Sequence, residues 1–236
     1  MPGVLYGVGV GPGDPELITL KAARIIRKCP IIVVPKSGDG ERVALSIARQ
    51  AVPELVDKQL VELDMPMTRD QALLRACHEK AAETIATYLD GGADVAFLTL
   101  GDPCIYSTYI YVDRLIRRMG HTAEIISGVP SFCAVSAKLG DALVETSQPL
   151  HIIPGSYGSL RENLAMPGTK VLMKSGKAFP DVKAALSDLG LTINANMVVS
   201  CGMPDEKVYG TLENVSEVPG YFTIIVVKEN ESMGGK

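Results

Sequence analysis

Residues 99–111 read Thr-Leu-Gly-Asp-Pro-Cys-Ile-Tyr-Ser-Thr-Tyr-Ile-Tyr. An apolar run, Val-Ala-Phe-Leu over 95–98, leads into Gly101, Asp102 and Pro103. Three hydroxyl side chains follow in a row, Tyr106, Ser107 and Thr108, with Tyr109 and Tyr111 behind them. The stretch holds one carboxylate and neither Lys nor Arg. A phosphate site wants the opposite charge. Backbone carbonyls, hydroxyls and one acidic side chain suit a ligand that is itself cationic. S-adenosylmethionine has that make-up: a sulfonium, an ammonium, a flat adenine and ribose hydroxyls. A plainer reading stands beside it, in which Asp102 caps the following helix and the tyrosines pack at an interface.

A second candidate loop, Gly-Val-Gly-Val-Gly-Pro-Gly-Asp-Pro-Glu over 7–16, lies between an expected strand and an expected helix. Dinucleotide folds bind pyrophosphate at that place. The G-x-G-x-x-G register fails here, because its third position falls on Asp14 counted from Gly9 and on Pro12 counted from Gly7. Asp14 and Glu16 would also oppose a pyrophosphate at the helix N-terminus. The second strand ends Val-Val-Pro-Lys-Ser-Gly, without the acid that holds a ribose, and no Gly-Lys-Ser/Thr follows. A nicotinamide enzyme or a Walker loop is disfavoured. The glycines also fit a tight turn with close backbone approach and no ligand.

The elements that must position these loops alternate. Apolar, β-branched runs over 4–8, 31–35, 60–63, 94–100 and 123–127 read as strands, separated by helical patterns, which is the signature of an α/β protein. A first helix is expected from Asp14 as N-cap, with Pro15 at its first position, until Pro30 stops it. A second covers 41–52. A third opens with a capping box, Thr68-x-x-Gln71, and ends at Gly91-Gly92. A fourth runs from Pro103 or Tyr106 to Met119. In the second half, strands are expected over 150–154, 169–174, 196–201, 207–211 and 221–227, and helices over 159–165 and 180–189. The short link between the last two strands implies some antiparallel pairing. The domain change is expected near 118–121, giving units 1–118 and 119–236, although the strand over 123–127 could return to the first sheet. The tail over 228–236 reads as a frayed terminus.

The 236 residues can bury a sizeable core, and 47% apolar with 21% charged residues fits a globular protein in water. No apolar stretch approaches a membrane span, and the N-terminus lacks the pattern of a signal peptide. A net charge of −4 disfavours gripping nucleic acid through its phosphates. Five widely spaced cysteines and three isolated histidines argue against a disulfide framework or a metal site, so a reducing cytoplasm is expected. Each cysteine reads as a small buried apolar residue.

Three segments together resemble the tetrapyrrole methylases, the S-adenosylmethionine-dependent enzymes of sirohaem and cobalamin synthesis. They are Gly-Val-Gly-Pro-Gly-Asp-Pro-Glu-Leu-Ile-Thr-Leu-Lys-Ala over 9–22, the Gly101-Asp102-Pro103 loop, and Ser-Gly-Val-Pro-Ser-Phe over 127–132. The resemblance covers essentially the whole chain. It implies two α/β domains, each a mostly five-stranded sheet flanked by helices, with the cofactor folded in a cleft between them, in an enzyme that is usually a homodimer. Tyr-Ser-Thr-Tyr-Ile-Tyr after the Gly-Asp-Pro, with the second-strand segment over 33–48, looks like the branch that methylates C20 of precorrin-2 or cobalt-factor II. Uroporphyrinogen methylases carry an extra glycine where this chain has Leu100. A C11, C17 or uroporphyrinogen-type methylase is the alternative within the family.

By position, the resemblance places Pro12, Leu100, Gly101, Asp102, Tyr106, Ser107, Thr108, Pro130 and Ser131 against S-adenosylmethionine, with Met173, Gly202 and Thr223 from the second domain. Two departures stand out: Pro130 replaces a threonine of relatives, and Lys174 stands where relatives often have glycine. Asp102 and Tyr106 are the side-chain candidates for removing the C20 proton. The tetrapyrrole carries many carboxylates, so Lys36, Arg42, Lys174, Lys177 and His151 are candidates to receive them. No metal ligand set is expected.

Overall fold

The computed structural model describes residues 2–36, 42–156 and 158–229. Residues 37–41, which include the expected start of the second helix, and the tail 230–236 lie outside them. The chain divides into two compact units, Met1–Pro130 and Ser131–Lys236.

The first unit is built on β1 (Val4–Gly9), β2 (Ile31–Lys36), β3 (Gln59–Asp64), β4 (Val95–Thr99) and β5 (Thr122–Ile126). They form one sheet in the order β3-β2-β4-β1-β5, with every pair parallel. Helices cover both faces, as a parallel sheet requires. Along each strand the side chains alternate between two cores. Tyr6, Val8, Ile32, Val34, Ala96 and Leu98 meet α1 (Leu20–Lys28) and α2 (Val43–Ala51). Leu5, Ile31, Val33, Val95 and Phe97 meet α3 (Gln71–Asp90) and α4 (Tyr109–Arg118).

The second unit carries β6 (Leu150–Pro154), β7 (Thr169–Met173), β8 (Ala195–Val199), β9 (Lys207–Tyr209) and β10 (Thr223–Val227), in the order β6-β7-β10-β8-β9. Strands β6 and β7 are parallel, whereas β10 runs antiparallel to both β7 and β8. Between the strands lie α5 (Ser131–Leu139), α6 (Leu160–Leu164) and α7 (Phe179–Asp188). Leu164, Phe179, Val182 and Leu186 cover one face, and α5 lies against β10.

Several expectations are corrected. Strand β5 pairs with β1, so the first unit continues to Pro130 rather than ending at 118. The first helix is two pieces. Asp14 does accept the Glu16 N–H at 2.8 Å, but it caps only a 3-10 turn over Pro15–Leu17. Thr19 then caps α1 by accepting the Ala22 N–H at 3.1 Å. The third helix is capped by Asp70, which accepts from Ala72 at 2.9 Å and Leu73 at 3.1 Å. Thr68 holds the Asp70 N–H instead. Helix α4 starts only at Tyr109, because residues 102–105 close into a turn of their own. Antiparallel pairing is present, but β9 pairs with β8 and β10 inserts between β7 and β8. Helix α5 adds an element where the sequence predicts none between 127 and 150. All five thiols are free, and Cys104 and Cys133 are exposed rather than buried. Cys29 does fit the buried reading, and burial pushes its thiol up to about 12.

Candidate active site

The strand order creates a crevice before any side chain is considered. From β1 the chain crosses β4 to reach β2, and from β4 it crosses β1 in the opposite direction to reach β5. Neighbouring strands whose connections diverge leave an opening at their carboxyl ends, the usual ligand position in open α/β sheets. The loops at that opening are the two singled out by sequence, 9–16 and 100–108.

The backbones of the two loops are joined directly. Gly11 and Gly101 exchange hydrogen bonds, at 3.3 Å for the Gly11 N–H and 2.8 Å for the Gly101 N–H. Both glycines are left-handed, with φ of +79° and +69°, a conformation that costs an L-residue about 1–2 kcal/mol. A third loop, 127–130 after β5, closes against them. A Cβ on Gly9 would stand 2.6 Å from the Gly101 oxygen, and one on Gly128 would stand 2.1 Å from the same atom. The Thr19 hydroxyl donates to the Ser127 carbonyl at 3.3 Å and ties this loop to the start of α1.

Asp102 sits inside the junction and is only 9% exposed. One carboxylate oxygen accepts the Cys104 N–H at 2.7 Å and the other accepts the Gly128 N–H at 3.0 Å. Its carbonyl accepts the Ile105 N–H at 3.2 Å. Tyr106 follows in the left-handed region at φ +49°, a strained setting for a non-glycine residue, and its side chain is 44% exposed. Partial burial holds its phenol above the ordinary range, so it stays protonated and keeps its capacity to donate. The Ser107 hydroxyl accepts the Tyr109 N–H at 3.1 Å and starts α4, with Thr108 half-buried beside it. Beneath the loop the Thr99 hydroxyl is buried without a hydrogen-bond partner among the described residues.

A polar network in the core anchors α4. The ring of Tyr109, fully buried, lies over Gly7, where a Cβ would come within 2.2 Å of it. Its hydroxyl donates to Asp113 at 3.1 Å, and Arg117 holds the other Asp113 oxygen at 2.9 Å.

The first unit thus brings together Pro12, Leu100, Gly101, Asp102, Tyr106, Ser107 and Thr108 at one edge of its sheet, with Pro130 closing the third loop. Ser131 opens α5 in the second unit. Lys36 ends β2 at the same edge. Arg42 pairs through both its Nε and Nη2 with Glu62, the Nη2 contact being 2.7 Å, so its charge is already committed.

In the second unit, Met173 ends β7, Thr223 begins the antiparallel β10 and Gly202 follows β8, all at one end of that sheet. Lys174 and Lys177 extend β7 there. Lys174 is left-handed at φ +55°, and desolvation lowers the pKa of its half-buried ammonium group. Gly176 after it admits no side chain, since a Cβ would stand 2.6 Å from the Gly220 oxygen. His151 lies near the opposite end of the sheet, with Nε2 2.8 Å from the Pro167 carbonyl, and does not join this group.

Thr99, Gly9 and Gly128 fall inside the segments quoted from the sequence but are not among its site candidates, because residue type alone shows neither the buried hydroxyl nor the close backbone contacts. Among the described residues no cluster of His, Cys, Asp or Glu could hold a metal ion, and no helix is long and apolar enough to cross a membrane.

Residues 4–216 match the family model of the Tetrapyrrole (Corrin/Porphyrin) Methylases. The chain is 36% identical, over 95% of its length, to the cobalamin biosynthesis protein CobIJ of Mycobacterium tuberculosis, but spans only 46% of that protein. It is 33% identical to the cobalt-precorrin-2 C(20)-methyltransferase of Salmonella typhimurium, over 98% of this chain and 99% of that one. Among solved structures, uroporphyrin-III C-methyl transferase from Thermus thermophilus, complexed with S-adenyl homocysteine, matches with a TM-score of 0.69 at 24% identity. That match covers 96% of this chain and 98% of that one, and shows a shared fold.

Proposed function

The chain belongs to the tetrapyrrole (corrin/porphyrin) methylases, and from that premise we propose that it methylates C20 of precorrin-2 or cobalt-factor II in cobalamin synthesis. The observation that carries the C20 reading is the end-to-end similarity to the Salmonella C(20)-methyltransferase. The donor set at the β1–β4 crevice supports S-adenosylmethionine as methyl source. Its loop of glycines, hydroxyls and carbonyls carries no cation over 99–111, which suits a ligand that brings its own positive charge.

S-adenosylmethionine, when bound, supplies an electrophilic methyl group on a sulfonium. The reduced tetrapyrrole is enamine-like and already nucleophilic at the meso carbon, so the protein's task is alignment and exclusion of water. Orientation of this kind is worth about 7–11 kcal/mol in favourable cases. By the family resemblance, Pro12, Leu100, Gly101, Ser107, Thr108 and Pro130 of the first unit, and Ser131, Met173, Gly202 and Thr223 of the second, would hold the cofactor. Tyr106 orients a reactant as a hydrogen-bond donor, because a phenol kept protonated is poorly suited to taking the C20 proton. Lys36, Lys174 and Lys177 receive substrate carboxylates. Arg42 and His151 leave this role, being engaged by Glu62 and Pro167. The enzyme works as a homodimer in the cytoplasm.

The test is incubation with methyl-labelled S-adenosylmethionine and either metal-free precorrin-2 or cobalt-factor II, followed by NMR location of the new methyl. Label at C20 is expected. Label at C11 or C17 would move the chain to another branch of the family, and no transfer at all would refute the reading.

A further inference from the structure

We propose that Asp102 is a positioning residue: an inward-facing strut that fixes the cofactor loop, and neither a counter-ion for the cofactor's cations nor the acceptor of the C20 proton. The inference rests on the reading of this crevice as the S-adenosylmethionine site.

The geometry assigns the role. Each carboxylate oxygen already accepts a backbone N–H, one from its own turn at Cys104 and one from the neighbouring loop at Gly128. Turning the carboxylate toward a ligand would strip both N–H groups of their partner in a nearly solvent-free junction, which is costly for each group. The position also leaves little slack. The Gly101 carbonyl touches Gly9 and Gly128 so closely that neither tolerates a Cβ. Asp102 therefore sets how far the loop after β4 stands from the loop after β5. Closing residues 102–105 as a turn, it also delivers Tyr106 in its left-handed conformation and Ser107 at the start of α4. The carboxylate acts through the loop it shapes.

Charge and length separate the three roles. Asp102→Asn keeps the length but removes the charge and turns an N–H toward an N–H. Asp102→Glu keeps charge and basicity but is one methylene too long for the junction. Each variant would be titrated by calorimetry with S-adenosylmethionine, S-adenosylhomocysteine and 5′-methylthioadenosine, which carry both cations, the ammonium only, and neither. A strut predicts that both variants weaken all three ligands by similar factors, about tenfold or more. It further predicts that the acid limb of the kcat–pH profile stays where it is in the wild type.

Three results would overturn the proposal. Asp102→Asn weakening S-adenosylmethionine alone would make Asp102 the sulfonium's counter-ion. Weakening both amino-acid-bearing ligands and sparing methylthioadenosine would make it the ammonium's. Loss of kcat and of the acid limb in Asp102→Asn at unchanged affinity, with Asp102→Glu active, would make it the base. If Asp102→Asn does not fold, as judged by its thermal melt, Asp102→Glu decides alone, since only a strut is broken by added length. The titrations need no tetrapyrrole, so failure of C20 transfer by the wild type would sink the functional reading and leave this comparison standing. Failure of the wild type to bind S-adenosylhomocysteine would sink both.

Discussion

Lys174 combines a strained backbone with a desolvated charge, and the two predict opposite consequences of replacing it. Glycine relieves a left-handed strain of about 1–2 kcal/mol, partly offset by about 0.5–1 kcal/mol of extra chain entropy in the unfolded state. Lys174→Gly should therefore melt at or slightly above the wild-type temperature while the KM for the tetrapyrrole rises. A falling melting temperature would contradict the strain argument. The pH dependence has a definite sign. Burial lowers the pKa of this lysine, so its positive charge is present at low pH and lost earlier than an ordinary lysine's as pH rises. Affinity for the polycarboxylate substrate should decline over that range in the wild type. In Lys174→Arg, whose charge persists, that decline should disappear from KM measured against pH. At this scale the sequence disclosed which residue types gather, because Gly101, Asp102 and the three hydroxyls are contiguous. It could not disclose that Asp102 faces inward or that Arg42 is held by Glu62, since those partners lie 26 and 20 residues away.

Helix α4 owes its place to one missing side chain. Gly7 leaves room in β1 for the Tyr109 ring, and α4 in turn carries the loop with Tyr106, Ser107 and Thr108. Gly7→Ala would force a methyl into a fully buried ring and should cost about 1–3 kcal/mol or more, read as a lower melting temperature. Pairing it with Tyr109→Leu should recover part of that loss, because the two sites are in contact and their effects do not add. Additive losses would show that the clash is absorbed elsewhere. Strand positions were legible because β-branched runs such as Ile31 to Val34 are buried on both faces. Helix starts were not, because two candidate caps competed at each: Asp14 with Thr19, and Thr68 with Asp70. Helix α5 was not legible because its nine residues follow Pro130 directly, inside a stretch that reads as a turn. The place of β10 could not be read from its own residues, since inserting it between β7 and β8 is a property of the sheet.

Over the whole chain, each unit owns a complete sheet and core. The first closes within residues 4–126, with helices on both faces, and no strand of the second sheet contributes to it. A fragment ending at Pro130 should fold alone and melt cooperatively by far-UV circular dichroism, whereas one ending at Arg118 should not, because it lacks β5. A cooperative melt from the shorter fragment would show that β5 is dispensable. The alternation of strands and helices was readable over most of the chain, α5 excepted, and the boundary was misplaced because a strand's choice of sheet depends on neighbours far along the chain. The contact of Gly9, Gly101 and Gly128 bears on how such a protein can diversify. Where three main chains already touch, mutation has no smaller residue to offer and no larger one to admit. A library selected to alkylate a different ring carbon should leave this spot untouched and accumulate its changes along the rim of the same unit, around Lys36, Tyr106 and Thr108, where volume and charge are still adjustable.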